Sequence, residues 1–516
     1  MSAPAGTIVV GAGVVGLSAA LALQARGHSV TVLDREGPAA GASAGNAGAF
    51  AFSDILPLAS PGILRQAPGW LLDPLGPLSV PPAYALRIAP WLLRFWRACS
   101  PARVAGATAA QAALMDLSKA ELEPFLAATG TLAMLRREGN LQVYESAAEL
   151  TAALPGWQAR EAHGIAFRHM TAVEMAELQP GLAPRFTHGT FTPEWYSIAD
   201  PKLFTLALAD RVRALGGAIE RVEVTALRPL DDGVEVEGQD GTKHRSAQLV
   251  LAAGAFSHRI ARTIGEAIPL ETERGYNTTL PADAFDLRTQ ITFGGHGFVI
   301  SRLTSGIRVG GAVELGGLDL PPNFRRSAAM LRKAREFLPG LKPEGGVEWM
   351  GFRPSLPDSL PAIGRARATP RVIHAFGHGH LGQTAGIGAP GGCHRFDDGI
   401  DLFLREPAEL LERSMSFIDF GTDLLYRYEV EILKHGSLLA AYALADRFIV
   451  LLRARKNLFH FVMRVGDHVY GHQFSHAARS RGSMRKRRSP AVTARFTSAS
   501  VSVSMASRRS SMQPRS

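Results

Sequence analysis

Three short stretches carry residue types suited to chemistry on an anionic ligand. In "GFRPSLP" (351–357) Arg353 stands between Phe352 and Pro354, on a stretch that proline stiffens. A guanidinium presents a planar fork to two oxygens at once and stays charged at any working pH, although a surface arginine fits the bare pattern too. In "ERGYN" Tyr276 offers a phenolic donor for the same anion, or serves as an ordinary half-buried strand tyrosine. In "FGHGHLGQ" (376–383) His378 and His380 stand among glycines as metal ligands, bases or flanks of a turn. The motif holds no third ligand and its glycines give no rigid second shell, so no metal is expected.

The elements that must position these groups begin at the N-terminus. "TIVV", "GAGVVG", "LSAALALQARG" and "SVTVLD" read as strand, tight turn, helix and strand, a βαβ unit. After Val10, Gly11 permits the turn, Gly13 lets the amides around Ala12, Val14 and Val15 approach a pyrophosphate, and Gly16 allows close helix-to-strand packing. Asp34 closes the second strand 18 residues after Gly16, beside Arg35, where a carboxylate accepts hydrogen bonds from ribose hydroxyls. The pattern alone is weak, and its placement between strand and helix makes it a dinucleotide site. FAD is favoured over NAD by "GASAGNAG" (41–48), where Ala42, Ser43, Asn46, Ala47 and Gly48 suit phosphate or the edge of an isoalloxazine ring. The buried strand "LVLAAGAFS" ends in Ala253 and Gly254, small enough for a close ligand.

Composition sets outer bounds. The chain has 516 residues, 46% apolar and 20% charged, typical of a soluble globular protein of two to four domains. Its two cysteines exclude a disulfide scaffold and point to a reducing compartment. The first residues lack a basic segment and no apolar run is long enough to span a bilayer, so neither export nor a spanning helix is expected. The net charge is +10, and residues 391–516, with 20 basic and 12 acidic residues, carry most of it. Nucleic-acid binding is therefore not expected of residues 1–390.

Residues 55–96 hold prolines too frequent for one long helix and too much apolar surface for a solvated linker, so an irregular flap with short helices is predicted. Helices are predicted near 109–129 and over "DPKLFTLALADRVRALGG", with Asp200 as N-cap, Pro201 at the first position and Gly216 as the stop. Strands follow in "AIERVEVTAL", "GVEVEG" and "AQLVLAAG", and "HGFVISRLTSGIRVGGAVE" alternates like an antiparallel hairpin.

The chain resembles the FAD-dependent D-amino acid oxidase superfamily, and within it most closely the D-amino acid dehydrogenases. The resemblance rests on "TIVVGAGVVGLSAALALQARGHSVTVLDR", "SAGNAGAF", "DPKLFTLAL", "LVLAAGAFSHRIA", "ERGY", "WMGFRPSLPDSLPAIGRA" and "FGHGHLGQTAGI", in the family's order over residues 6–388. It implies a mixed α/β fold. A Rossmann-like FAD-binding domain (1–60, 195–270, 348–390, with Val224 beside the cofactor) would accompany a substrate domain on an antiparallel sheet (61–194, 271–347).

It further implies oxidation of D-amino acids to 2-oxo acids and ammonia by hydride transfer to flavin N5, with Arg353 clamping the substrate carboxylate. Glycine, sarcosine or D-hydroxyproline are the alternative substrates, and an inactive flavoprotein with a basic binding tail is the rival of another class. The turn of Gly377, Gly379, His380, Leu381 and Gly382 would pass over the flavin, with His378 pointing into the substrate cavity and His380 packing or bonding to backbone. A quinone or O2 would accept the electrons, and a cytoplasmic protein touching the inner membrane face through residues 55–96 is implied. Past Pro390 the chain departs from the family: "GGCHRFDDG" replaces an apolar helix, which suggests a shifted reading frame or a fusion and a turn deprived of its support. Residues 391–516 are therefore an atypical tail, and 477–516, with 11 Ser, 9 Arg and no acidic residue, are predicted to be disordered.

Overall fold

A computed structural model describes residues 6–63, 76 and 78–394, so the expectations for the tail beyond His394 fall outside the described residues. The chain opens with β1 (Thr7–Val10), α1 (Val14–Gln24) and β2 (Val30–Asp34). All four residues of β1 are buried, as in a parallel strand covered on both faces, which is why "TIVV" shows no alternation.

Two helices follow, α2 (Ala85–Ala98) and α3 (Pro101–Thr129). The prolines of residues 55–96 do not prevent a 14-residue helix: α2 carries Pro90 inside it. This corrects the expectation of short helices only; residues 64–75 and 77 of the flap lie outside the described residues. Ile88 and Trp91 anchor α2 against Leu315, leaving Leu86, Leu93 and Trp96 exposed.

Next come α4 (Pro201–Ala214), β3 (Ala218–Arg221) and β4 (Gln248–Leu251). The Asp200 carboxylate caps α4, accepting from the Lys202 and Leu203 amides at 2.9 and 3.0 Å. Three long strands follow: β5 (Glu271–Leu280), β6 (Gly306–Glu314) and β7 (Val347–Ser355). The described chain closes with β8 (Ala362–Arg365), β9 (Val372–Phe376) and α5 (Gly382–His394).

Two sheets dominate. The first has six strands in the order β3-β2-β1-β4-β9-β8, parallel except for β8. The chain leaves β1 toward β2 on one side and later fills the other side with β4, which opens a crevice at the carboxyl ends of these strands. The second sheet has nine strands and is largely antiparallel, with β7-β5-β6 at one end. Arg353 lies on β7 and so belongs to this second sheet, whereas the sequence boundaries place residues 348–355 with the nucleotide-binding part. The glycine turn at 377–382 does feed a helix: α5 packs Gly386 against Val15 of α1 and Gly388 against Ser118 of α3. The expectation of a turn without its support is corrected accordingly.

Candidate functional site: a dinucleotide cleft ending at Arg353 and a histidine turn

At the crevice, Gly11 adopts φ +113°, and a Cβ there would stand 2.3 Å from the Ala252 carbonyl oxygen. Only glycine meets both demands. A Cβ on Gly16 would lie 1.9 Å from the Gly11 oxygen, so α1 packs directly on the turn. Gly13 caps α1 without a side chain, and the Val14 amide donates to Ser43 Oγ at 2.9 Å, bringing the 41–48 loop over the helix N-terminus. Asp34 does more than close β2. Its Oδ2 accepts from the Ala12 amide at 2.8 Å and its Oδ1 from Glu36 and Gly37 at 2.9 and 2.8 Å, so it also fixes the turn. Arg35 places its guanidinium 3.8 Å from the centre of the Phe256 ring.

These groups line a cleft of about 660 Å³, together with Val10, Val15, Ala42, Asn46, Val224, Ala253 and Gly254. The same cleft is lined by Phe352, Arg353, His378, Gly379, His380, Gly382 and Gln383. Predicted residues outside the lining are Gly16, Ala47, Gly48, Gly377 and Leu381, which act in packing or turn geometry, and Tyr276. Gly377 has φ +87°, which accounts for a glycine before His378 without reference to any ligand.

The substrate sheet presents Arg353 from β7. Strand β5 runs antiparallel to it with Glu273 opposite Arg353 and Gly275 opposite Gly351. The guanidinium lies over Gly275, where a Cβ would be 2.4 Å from Nη2. It donates to the Ala312 and Gly311 carbonyls at 3.2 and 3.5 Å, and its Nη1 is 4.0 Å from the buried Glu273 carboxylate. Burial works against its charge and Glu273 partly offsets this. Among the described residues no ion pair closer than the 4.0 Å contact with Glu273 neutralises it.

Side chains in β5 alternate faces. Glu273 and Gly275 face Arg353, so Tyr276 faces away: it is 1% exposed, donates to Glu314 Oε1 at 2.9 Å and accepts from the Asn323 amide at 3.0 Å. This corrects the expectation of a phenol in the pocket. The second sheet also holds the 41–48 loop, through Arg308 Nη1 to the Asn46 carbonyl at 2.6 Å and Asn277 Nδ2 to the Gly45 carbonyl at 2.8 Å.

The histidines differ sharply. His378 is buried and its Nε2 has no hydrogen-bond partner; burial pushes its pKa down to about 4, so the ring is neutral at physiological pH. His380 Nε2 lies 2.9 Å from Asp54 Oδ2, and Arg160 stands 3.6 Å from the same carboxylate. Burial opposes charge on both members of this pair, yet their mutual bond prevails, raising His380 and lowering Asp54. Among the described residues no His, Cys, Asp or Glu cluster is gathered as for a metal. Sequence reasoning missed Glu273 and Asp54. The period-2 register of β5 against β7 would have found the first, while Asp54 in "FSDILP" carries no local signal.

A dinucleotide fits what the cleft offers. Gly11 and Gly16 leave no room for Cβ atoms beside the turn, and α1 begins without a side-chain cap. His378 Nε2 and Gln383 Nε2 are buried, unpartnered and on the lining, ready for the polar edge of a planar ring.

Comparison with known proteins agrees. The model of the FAD dependent oxidoreductase family DAO matches residues 7–389. A D-amino-acid oxidase of Bradyrhizobium diazoefficiens is 32% identical over 384 residues, covering 72% of this chain and 90% of the relative. A D-amino acid dehydrogenase of Sinorhizobium medicae is 31% identical over 391 residues, covering 74% and 93%. Among solved structures, a glycine oxidase of Geobacillus kaustophilus superposes with TM-score 0.59 at 18% identity, covering 78% of this chain and 97% of its own. That likeness concerns the fold. With the glycine turn, the Asp34 anchor and the cleft in place, this chain belongs to the DAO family of FAD-dependent oxidoreductases.

Proposed function

We propose that this protein oxidises D-amino acids to 2-oxo acids and ammonia. The observation that carries the reading is Arg353: a half-buried, incompletely neutralised guanidinium on the wall of a cleft suited to FAD. Its two outer nitrogens face a substrate carboxylate as a fork, fixing Cα in one orientation. The glycine turn and the 378–383 turn, which line the same cleft, would hold FAD, and that group would supply the acceptor for the hydride leaving Cα. Neutral His378 adds no positive charge to the lining of the cleft, and the imine product would hydrolyse in water. The relatives named D-amino acid oxidase and dehydrogenase support this substrate class.

The test is an anaerobic absorption spectrum of the yellow holoprotein with D-alanine, which bleaches the flavin band if the reading holds. Arg353→Met keeps the band yet loses about 10²-fold in kcat/KM, from the ~1.5–3 kcal/mol of a charge-assisted hydrogen bond. Unchanged efficiency in that variant overturns the assignment of Arg353.

Electron delivery to a membrane quinone fits α2, whose exposed Leu86, Leu93 and Trp96 lie among Arg87, Arg94 and Arg97 with no acidic residue on the helix. No helix among the described residues is long and apolar enough to cross a membrane, so the contact would be peripheral. Co-sedimentation with anionic vesicles, abolished by Leu93→Glu with Trp96→Glu, checks it.

A further inference from the structure

Amino-acid oxidation leaves one proton without a place. A free amino acid carries an ammonium group near neutral pH, and only the neutral amine has a lone pair to assist departure of the Cα hydride. The cleft contains one imidazole arranged to take that proton. His380 Nε2 lies 2.9 Å from Asp54 Oδ2, so in the neutral ring the Nε2 hydrogen is given to the carboxylate and the lone pair sits on Nδ1. Nδ1 has no hydrogen-bond partner among the described residues. Asp54 is itself braced, by Arg160 at 3.6 Å and by Gln111 Nε2, which donates to the Asp54 backbone carbonyl at 2.6 Å. The His380 side chain remains 32% exposed and lines the cleft with Arg353. His378, on the same turn, is buried and has no carboxylate partner.

We propose that His380 accepts the ammonium proton of the substrate, with Asp54 as the positioning residue that holds its tautomer. The inference rests on the amino-acid reading above. The step is a proton transfer alone: one N–H bond of the ammonium breaks, its electron pair stays on nitrogen, and an Nδ1–H bond forms on His380. The charged groups acting on the ring are Asp54 and Glu273, which favour the imidazolium, and Arg353, which opposes it. Their sum with burial raises the pKa of His380, toward that of an amine. Below that pKa the ring is already protonated and cannot accept, so the pair sets an acidic limb on the reaction.

The experiment follows anaerobic flavin bleaching by D-alanine from mildly acidic to strongly alkaline pH in wild type, His380→Asn and Asp54→Asn holoproteins. The inference expects His380→Asn to lose about 10²-fold at neutral pH, with the deficit closing at alkaline pH where the free amine is already neutral. Asp54→Asn should shift the acidic limb to lower pH. A deficit equal at every pH, or none, overturns the proposal, because a structural role lowers the rate without regard to the amine. If wild type is bleached by no D-amino acid, the functional reading fails by itself. The wild-type protein then still reports on the dyad by histidine NMR. Bound α-aminoisobutyrate, which lacks a Cα hydrogen, should turn His380 to imidazolium while isobutyrate does not; identical spectra with the two overturn the inference.

Discussion

The two ends of the cleft are built by different means. At the nucleotide end the chain works with backbone: a tight turn over residues 11–16, a helix that starts on Gly13 beneath the 41–48 loop, and glycines placed where Cβ atoms would strike carbonyl oxygens. At the Arg353 end it works with side chains drawn from distant segments, in which Arg353, Glu273, His380 and Asp54 meet through β7, β5, the late turn and the loop after residue 50. The first end leaves no volume to spare at its glycines. The second depends on the charges of Arg353, Glu273, His380 and Asp54.

Substitutions can break or sharpen that contrast. Gly11→Ala combines a strained φ with a backbone clash and should cost about 4 kcal/mol and abolish FAD uptake, read by denaturant unfolding and by loss of colour. A yellow, normally stable variant would contradict the backbone account. Acid is the next lever. His378 has a folded-state pKa of about 4 against a higher value when unfolded, so the unfolded state binds the extra proton as pH falls. Stability from this group is complete above about pH 6.5 and declines toward pH 4, by roughly 3 kcal/mol in all. Unfolding free energies at neutral and acidic pH should show wild type losing that much more stability than His378→Gln.

Gly275→Ala pushes a methyl against the Arg353 guanidinium and should raise KM about tenfold, with FAD retained, since the strain reaches only the side-chain end. Thr171→Ala marks the lower limit. It removes a capping box with Glu174 remote from the cleft and should cost about 1 kcal/mol of stability with KM unchanged.

What the sequence revealed follows the same division. The glycine turn, Asp34, the Asp200 cap and the hairpin at 298–314 were legible because the physics that makes them is local: a few residues dictate a turn, a cap or an alternation. The placement of Arg353 in the second sheet was not, since it depends on β7 pairing with β5 some eighty residues earlier. Tyr276 was misjudged by one residue of strand parity, which register alone decides. The pairing of His380 was not legible either, since its partner, Asp54, is 326 residues away and has no motif of its own.

The packing of α5 on α1 bears on how the protein comes to be made. The βαβ unit of residues 7–34 leaves the ribosome before the segments that complete it: β1 lacks its second neighbour until residues 248–251 emerge, and α1 lacks a covering helix until residues 382–394 do. Completing the nucleotide pocket therefore joins segments nearly four hundred residues apart, a non-local closure of the kind that folds slowly.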